Sequence, residues 1–431
     1  MNPHIRLKLK RNIPTLELPY WQDILADKTI AVTKLHPEID GILSKYKMPV
    51  WVTKEYKPAS KNWTQAEIAS GFNRIYRLIL QQDTQIPHNS IQEISRLPIV
   101  EEAQIGAIGC ANLPSMMPAQ MSATTDLHSR NAIYLEAARQ FTVGSPNVTV
   151  AVLDTGVSLT HPEIKDNILP GYDFVNIIDG TGKFVGDYLD ADEIPEDEVG
   201  HGTHVAGIIA AKGEGMPQGV VPNCKILPVR VLGAMQRGSK RVGAGLVDNI
   251  NSGIKWAIDK GADVINMSLG IQHTGGGLPH QEVVDYAQRK GVTIVAASGN
   301  DGTEKLYYPG SLPYVIAVGA FDEMGNIAPF STYGKLDFVA PGTNIYSTYL
   351  NNDYAFSTGT SHASPFVAGA VALLKSYAFE KRGIRLSDRQ VKHILKHTSD
   401  KIDTRFKHRK AGFGKLNPID ALRLLDYKLS S

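Results

Sequence analysis

The feature that most constrains the fold is a series of short, almost wholly apolar runs that begins at residue 148. Val148-Thr149-Val150-Ala151-Val152-Leu153 is the first, followed by Lys225–Val229, Val264–Met267, Thr293–Ala297 and Val315–Val318. Short runs without polar alternation suit strands buried on both faces. Helical stretches at His201–Ala211, Leu246–Lys260 and Gln281–Lys290 lie between them. Strands alternating with helices predict an α/β domain on a mostly parallel sheet. In such sheets the functional residues gather at the carboxyl ends of the strands.

The chain ahead of this pattern reads differently. Up to about residue 115 it is poor in Gly and rich in Lys, Ile, Gln and Arg. Val50-Trp51-Val52-Thr53 predicts a strand. From Thr64 the spacing of Ile68, Phe72, Ile75 and Ile79 predicts one helix reaching Leu80. A shorter helix is expected over Ile91–Leu97, and a strand from Ile99-Val100. The region therefore reads as a small α+β unit. Residues 107 to about 130 are rich in small residues and prolines and read as a linker.

Charge narrows the choice of partners. The 45 basic and 43 acidic residues leave a formal net charge of +2, without the concentrated basic face that phosphate binding needs. No nucleic-acid partner is implied. The basic run Arg6-Leu7-Lys8-Leu9-Lys10-Arg11 reads as a solvated end. Cys110 and Cys224 are far apart and fit neither a disulfide framework nor zinc spacing. No apolar run is long enough for a membrane span, and Pro14 and Glu17 interrupt any signal-like stretch. The expectation is a protein made in the cytoplasm with no membrane partner, non-classical export being the alternative.

Four short motifs carry chemistry. Asp154-Thr155-Gly156 follows the first buried strand; such an Asp commonly caps a turn, yet a buried carboxylate needs partners. His201-Gly202-Thr203-His204 opens an apolar helix. Its two histidines lie three apart, and the zinc-protease pattern needs a Glu after the first and a spacing of four, so a metal pair is disfavoured. Ser298-Gly299-Asn300 ends a strand with a side-chain amide, either a turn residue or an oxyanion donor. Gly359-Thr360-Ser361-His362-Ala363-Ser364-Pro365 precedes another apolar helix. Its serine is either an ordinary N-cap or a nucleophile whose own N–H points at a developing oxyanion.

In the order Asp, His, Ser these blocks resemble the subtilisin family of serine proteases. Asn266-Met267-Ser268-Leu269-Gly270 and Gly412-Phe413-Gly414-Lys415-Leu416-Asn417 add to the resemblance, which covers residues from about 130 to 425. It implies a serine endopeptidase with Asp154, His201 and Ser361 as triad and His204 as a structural residue. It implies that Asn300 and the Ser361 N–H bind the oxyanion, and that Ser268, Leu269 and Gly270 hold an extended protein or peptide substrate. The implied fold is a three-layer α/β domain over residues 116–431. Ahead of it, residues 1–115 would form a propeptide-like unit and linker that aids folding and then inhibits. The alternatives are a permanent accessory domain, a dedicated maturation protease for one peptide, or an inactive binding scaffold.

Some positions depart from the family. His362 stands where the best-known members have Met. Tyr307 falls near the floor of the primary specificity pocket, where a small residue is common, and so predicts a partly filled pocket. No cofactor is required for the chemistry. Structural calcium is doubtful: the Lys212–Gly219 loop is short and Glu163 replaces an expected Asp. A second acidic run, Asp187, Asp190, Asp192, Glu193, Glu196, Asp197 and Glu198, reads as calcium ligands or as a solvated loop that attracts basic substrates. Cleavage is expected between about residues 106 and 122, nearest Gly109–Cys110.

Overall fold

The structure is a computed structural model that describes residues 3–113, 115–118, 127–175, 193–237, 240–272 and 278–431. Its centre is a seven-stranded sheet. In spatial order the strands are Phe338–Pro341, Val315–Phe321, Thr293–Ala297, Val264–Met267, Thr149–Asp154, Lys225–Arg230 and Tyr172–Asp173. Every neighbouring pair is parallel.

Side chains alternate across a strand, so each strand feeds two cores. Val150 and Val152 join the core beneath the helices His201–Ala210 and Thr360–Arg382. Ala151 and Leu153 join the core beneath Val247–Asp259 and Gln281–Lys290. Helices on both faces explain the unbroken apolar runs. Strand order reverses at Thr149–Asp154: later strands add on one side, and Lys225–Arg230 and Tyr172–Asp173 on the other. A crevice forms at the carboxyl end of such a reversal.

The N-terminal unit is a four-stranded antiparallel sheet, ordered Val50–Lys54, Ile75–Leu80, His4–Leu9, Val100–Ile105. One face packs Ile5, Leu7, Leu78 and Leu80 against its own helices Pro37–Lys45 and His88–Ser95. The other face docks on the large domain. There Trp21, Ile24, Tyr56, Phe72, Ile75 and Ile79 continue the core beneath Val247–Asp259 and Gln281–Lys290.

Three expectations are corrected here. The helix from Thr64 stops at Ser70, where Gly71 turns left-handed at φ 83°. Ile75–Leu80 is instead a strand buried along its whole length, and Ile68 is exposed. Four apolar residues at helical spacing were divided among the helix (Ile68), a short 3-10 turn at Phe72–Arg74, and the strand (Ile75 and Ile79). Only the end of the basic run is solvated: Lys10 and Arg11 are exposed, and Arg6 is buried. In the strand His4–Leu9 the alternation sends Ile5 and Leu7 into one core, and His4 and Arg6 to the docked face, where both are buried. The linker is partly strand: Ile108–Asn112 pairs antiparallel with Lys240–Leu246, and Met117–Pro118 pairs with Tyr354–Ser357. Among the described residues no helix is long and apolar enough to cross a membrane.

Candidate active site

Asp154 is the last residue of its strand and is fully buried. The Thr155 N–H donates to its Oδ1 at 2.8 Å. His201 is the first residue of its helix, and its Nδ1 lies 2.6 Å from the same Oδ1. The helix can approach the strand this closely because residue 202 is Gly. A Cβ there would lie 2.0 Å from the Gly156 carbonyl oxygen and 3.0 Å from the Asp154 Cβ.

Burial pulls the His201 pKa down. The charge and hydrogen bond of Asp154, with the charge of Asp197, outweigh this and leave it raised. Its Nε2 is buried and has no partner among the described residues. His204 is unlike it. Its Nε2 donates between the carbonyls of Ile345 (3.1 Å) and Ala355 (3.0 Å), and burial pushes its pKa down to about 3. That is a structural histidine.

Ser361 lies in the first turn of Thr360–Arg382, where N–H groups lack intrahelical acceptors. Pro365 cannot donate to the carbonyl four residues back. That carbonyl, of Ser361, accepts from Ser268 Oγ at 2.7 Å instead. Ser361 Oγ returns a bond to the Ser268 carbonyl at 3.1 Å. Ser268 thus holds the turn from both sides. Asn300 Oδ1 accepts from the Thr360 N–H and hydroxyl, both at 2.9 Å, which leaves its amide N–H groups as the available donors.

Ser268, Leu269, Gly270, Asn300 and Ser361 line one side of a cleft of about 980 Å³; Gln104 to Ile108 line the other. At its floor the Tyr307 ring sits between two glycines. A Cβ on Gly299 would come within 2.7 Å of the ring, and one on Gly270 within 3.1 Å of Tyr307. The phenol donates to Asp301 Oδ2 at 2.7 Å and accepts from Gln272 Nε2 at 2.6 Å.

His362 is buried, with its ring centroid 4.5 Å from that of His204 and 5.6 Å from that of His201. Burial and those two histidines hold its pKa well below the usual value. Glu163, weighed for calcium, is buried and accepts from the backbone N–H groups of Gly213 (2.7 Å), Glu214 (3.2 Å) and Gly215 (2.5 Å). Its oxygens are engaged in closing the short loop. Among the described residues no group of three or more His, Cys, Asp or Glu is placed to hold a metal ion.

Within the second acidic run, Asp187, Asp190 and Asp192 lie outside the described residues. Asp197 contradicts the solvated reading: it is 3% exposed. Its acidic neighbours masked this, although four of the five donors lie within six residues after it and only Thr155 is distant.

The chain belongs to the Subtilase family, which its sequence matches over residues 145–414. It is a subtilisin-like serine endopeptidase, and the family's substrates are proteins or peptides. It is 40% identical over 296 residues to the thermophilic serine proteinase of Bacillus sp. (strain AK1), covering 67% of this chain and 65% of that protein. It is 40% identical over 256 residues to the major intracellular serine protease of Bacillus subtilis (strain 168), covering 58% of this chain and 75% of that one. Among solved structures it resembles the prenylagaramide maturation protease PagA. The TM-score is 0.54 at 30% identity, over 68% of this chain and 98% of the other.

Proposed function

We propose that Ser361 is the nucleophile, His201 the general base and then acid, and Asp154 the group that orients His201. The observation that carries this is the buried 2.6 Å contact between Asp154 and His201, with the other imidazole nitrogen unpartnered among the described residues. In the reaction, Ser361 Oγ turns from the Ser268 carbonyl to His201 Nε2, gives up its proton there and attacks the scissile carbonyl carbon. The negative oxygen is met by the Ser361 N–H and an Asn300 amide N–H. The bond to the leaving nitrogen breaks as Nε2 returns the proton to it. Water then repeats the sequence on the acyl-enzyme. No step calls for a metal or cofactor.

We further propose that the first substrate is the chain itself and that the N-terminal unit then acts as an inhibitor. Support comes from the course of the chain. Ile108–Asn112 extends the Lys240–Leu246 strand, and Met117–Pro118 extends Tyr354–Ser357, which ends four residues before Ser361. Gly109 and Cys110 sit inside the first pairing, opposite Gly245 and Ala244. The proposed scissile bond therefore moves from Gly109–Cys110 to residues 112–115, close to the 115/116 boundary between the two units.

A dedicated maturation role is the second reading. It is favoured by the Tyr307 ring packed against Gly270 and Gly299 and by the name of the solved relative PagA. Intact mass of the wild type beside Ser361→Ala tests the first reading. Only the wild type is expected to split between residues 112 and 115; splitting of both would remove Ser361 from the role. A library of unrelated peptides tests the second, and broad cleavage would count against it.

A further inference from the structure

We infer that Asp197 is a positioning residue for the peptidase reaction, a second buried carboxylate that sets both the place and the proton affinity of His201. This rests on the triad reading above. Oδ1 of Asp197 accepts from the Thr155 hydroxyl at 2.9 Å, the Val199 N–H at 2.9 Å and the Gly200 N–H at 2.8 Å. Oδ2 accepts from the Thr203 N–H at 2.8 Å and its hydroxyl at 2.7 Å. Five donors converge on one carboxylate, and no cation pairs with it among the described residues.

Those donors come from the two elements that the chemistry must hold together. Thr155 follows Asp154, and its own N–H donates to Asp154. Thr203 lies in the first turn of the helix that begins at His201. The residue before that helix is Gly200, which has no side chain to cap it. Asp197 supplies the missing cap from outside, and Thr155 completes it by accepting from the Gly202 N–H at 3.0 Å. Thr203 Oγ1 also accepts from the Ser158 N–H at 2.9 Å, so the loop after Asp154 is tied to the same group. The Asp154–His201 distance is thus held by a clamp in which Asp197 touches neither side chain and the Thr155 N–H reaches Asp154.

Charge adds a second effect. The titratable groups facing His201 are Asp154, Asp197, His204 and His362. The two histidines are held neutral by burial, so the charges it meets are the two carboxylates. Both stabilise the imidazolium that forms when Ser361 gives up its proton.

The test uses the mature enzyme, with Asp197→Asn and Thr155→Val measured beside wild type and Ser361→Ala. Asp197→Asn removes the charge and sets an N–H₂ against a donor. Its kcat is expected to fall on the order of 10²-fold with KM within about twofold. The acid limb of its kcat/KM profile should move down by roughly half to one pH unit. Thr155→Val keeps the charge; kcat should drop about tenfold and the acid limb should stay in place. An active wild type with both variants at wild-type kcat and an unmoved limb overturns this inference alone. If Asp197→Asn does not fold, wild-type kcat in Thr155→Val still overturns it. If wild type is as inert as Ser361→Ala, the triad reading fails first and this inference with it.

Discussion

Asp197 and Asp248 are buried to a similar depth, and their protons are held in opposite directions. Burial pushes the Asp197 pKa up, and its five hydrogen bonds only partly offset this. Burial pushes Asp248 the same way. There the hydrogen bond and charge of His4, with the charges of Arg6 and Arg77, reverse the outcome and hold it well below the carboxylate range. Asp197 is satisfied within the catalytic domain by fixed N–H and hydroxyl groups. Asp248 is satisfied across the docking face, by His4 Nε2 at 2.6 Å and Arg6 Nε at 3.3 Å. Around it Arg77 reaches Asn249 (2.8 Å), and Lys255 reaches Glu67 (2.7 Å) and the Lys57 carbonyl (2.8 Å). If the N-terminal unit leaves as proposed, water can replace the cations at Asp248. Nothing needs to replace the donors at Asp197. Polar groups paired across a boundary suit a reversible contact, and groups paired within one domain suit a permanent one.

The sharpest way to break this contrast is to disturb one side and read the other. Asn300→Ala should lower kcat by about 10²–10³-fold, a magnitude known from the same change in subtilisin. Retention of the N-terminal unit after processing should be unaltered. Asp248→Asn should do the reverse. The processed enzyme should release its N-terminal unit on the order of 10²-fold more readily on dilution, with kcat within about twofold of wild type. A large loss of kcat in Asp248→Asn would merge the two regions into one.

A smaller effect tests the specificity floor. Tyr307→Ala should raise kcat/KM for peptides with Phe before the scissile bond by about 10-fold or more relative to Ala there. An unchanged ratio would mean that the ring does not limit that pocket. The smallest effect concerns pH. His201 acts as a base when neutral, and Asp154 holds its pKa above the ordinary imidazole value against the opposing effect of burial. Activity should therefore rise with pH through a limb displaced upward from the ordinary imidazole range, read from a kcat/KM profile. Peroxide gives a separate check. His362→Met should lose activity on treatment, and the wild type should resist longer.

Much of this site was legible in one sequence because its parts are local. Strand, Asp and Gly at 149–156, His and Gly opening a helix at 201, and Ser four residues before Pro365 each carry their own geometric reason. The parallel sheet was legible for the same cause: a strand covered on both faces must be apolar throughout. The helix misread across Gly71 shows the limit of periodicity, since Ile75 and Ile79 fit helical spacing as well as a buried strand.

By itself the sequence determined the strand–helix alternation after residue 148, the family and the residues proposed for catalysis, because these follow from short-range pattern and from motif order. Only the tertiary structure decided where charge is buried. Arg6 became a docking group because its strand has helices of its own unit on one face and of the catalytic domain on the other. Asp197 became a clamp because Thr155, just past the end of a distant strand, meets it beside Gly200 and Thr203, which follow it closely in the chain. Residues 108–112 became a strand because Lys240–Leu246 offers them an edge. Burial and pairing are properties of what lies opposite, and that information is spread along the chain rather than held in any one stretch of it.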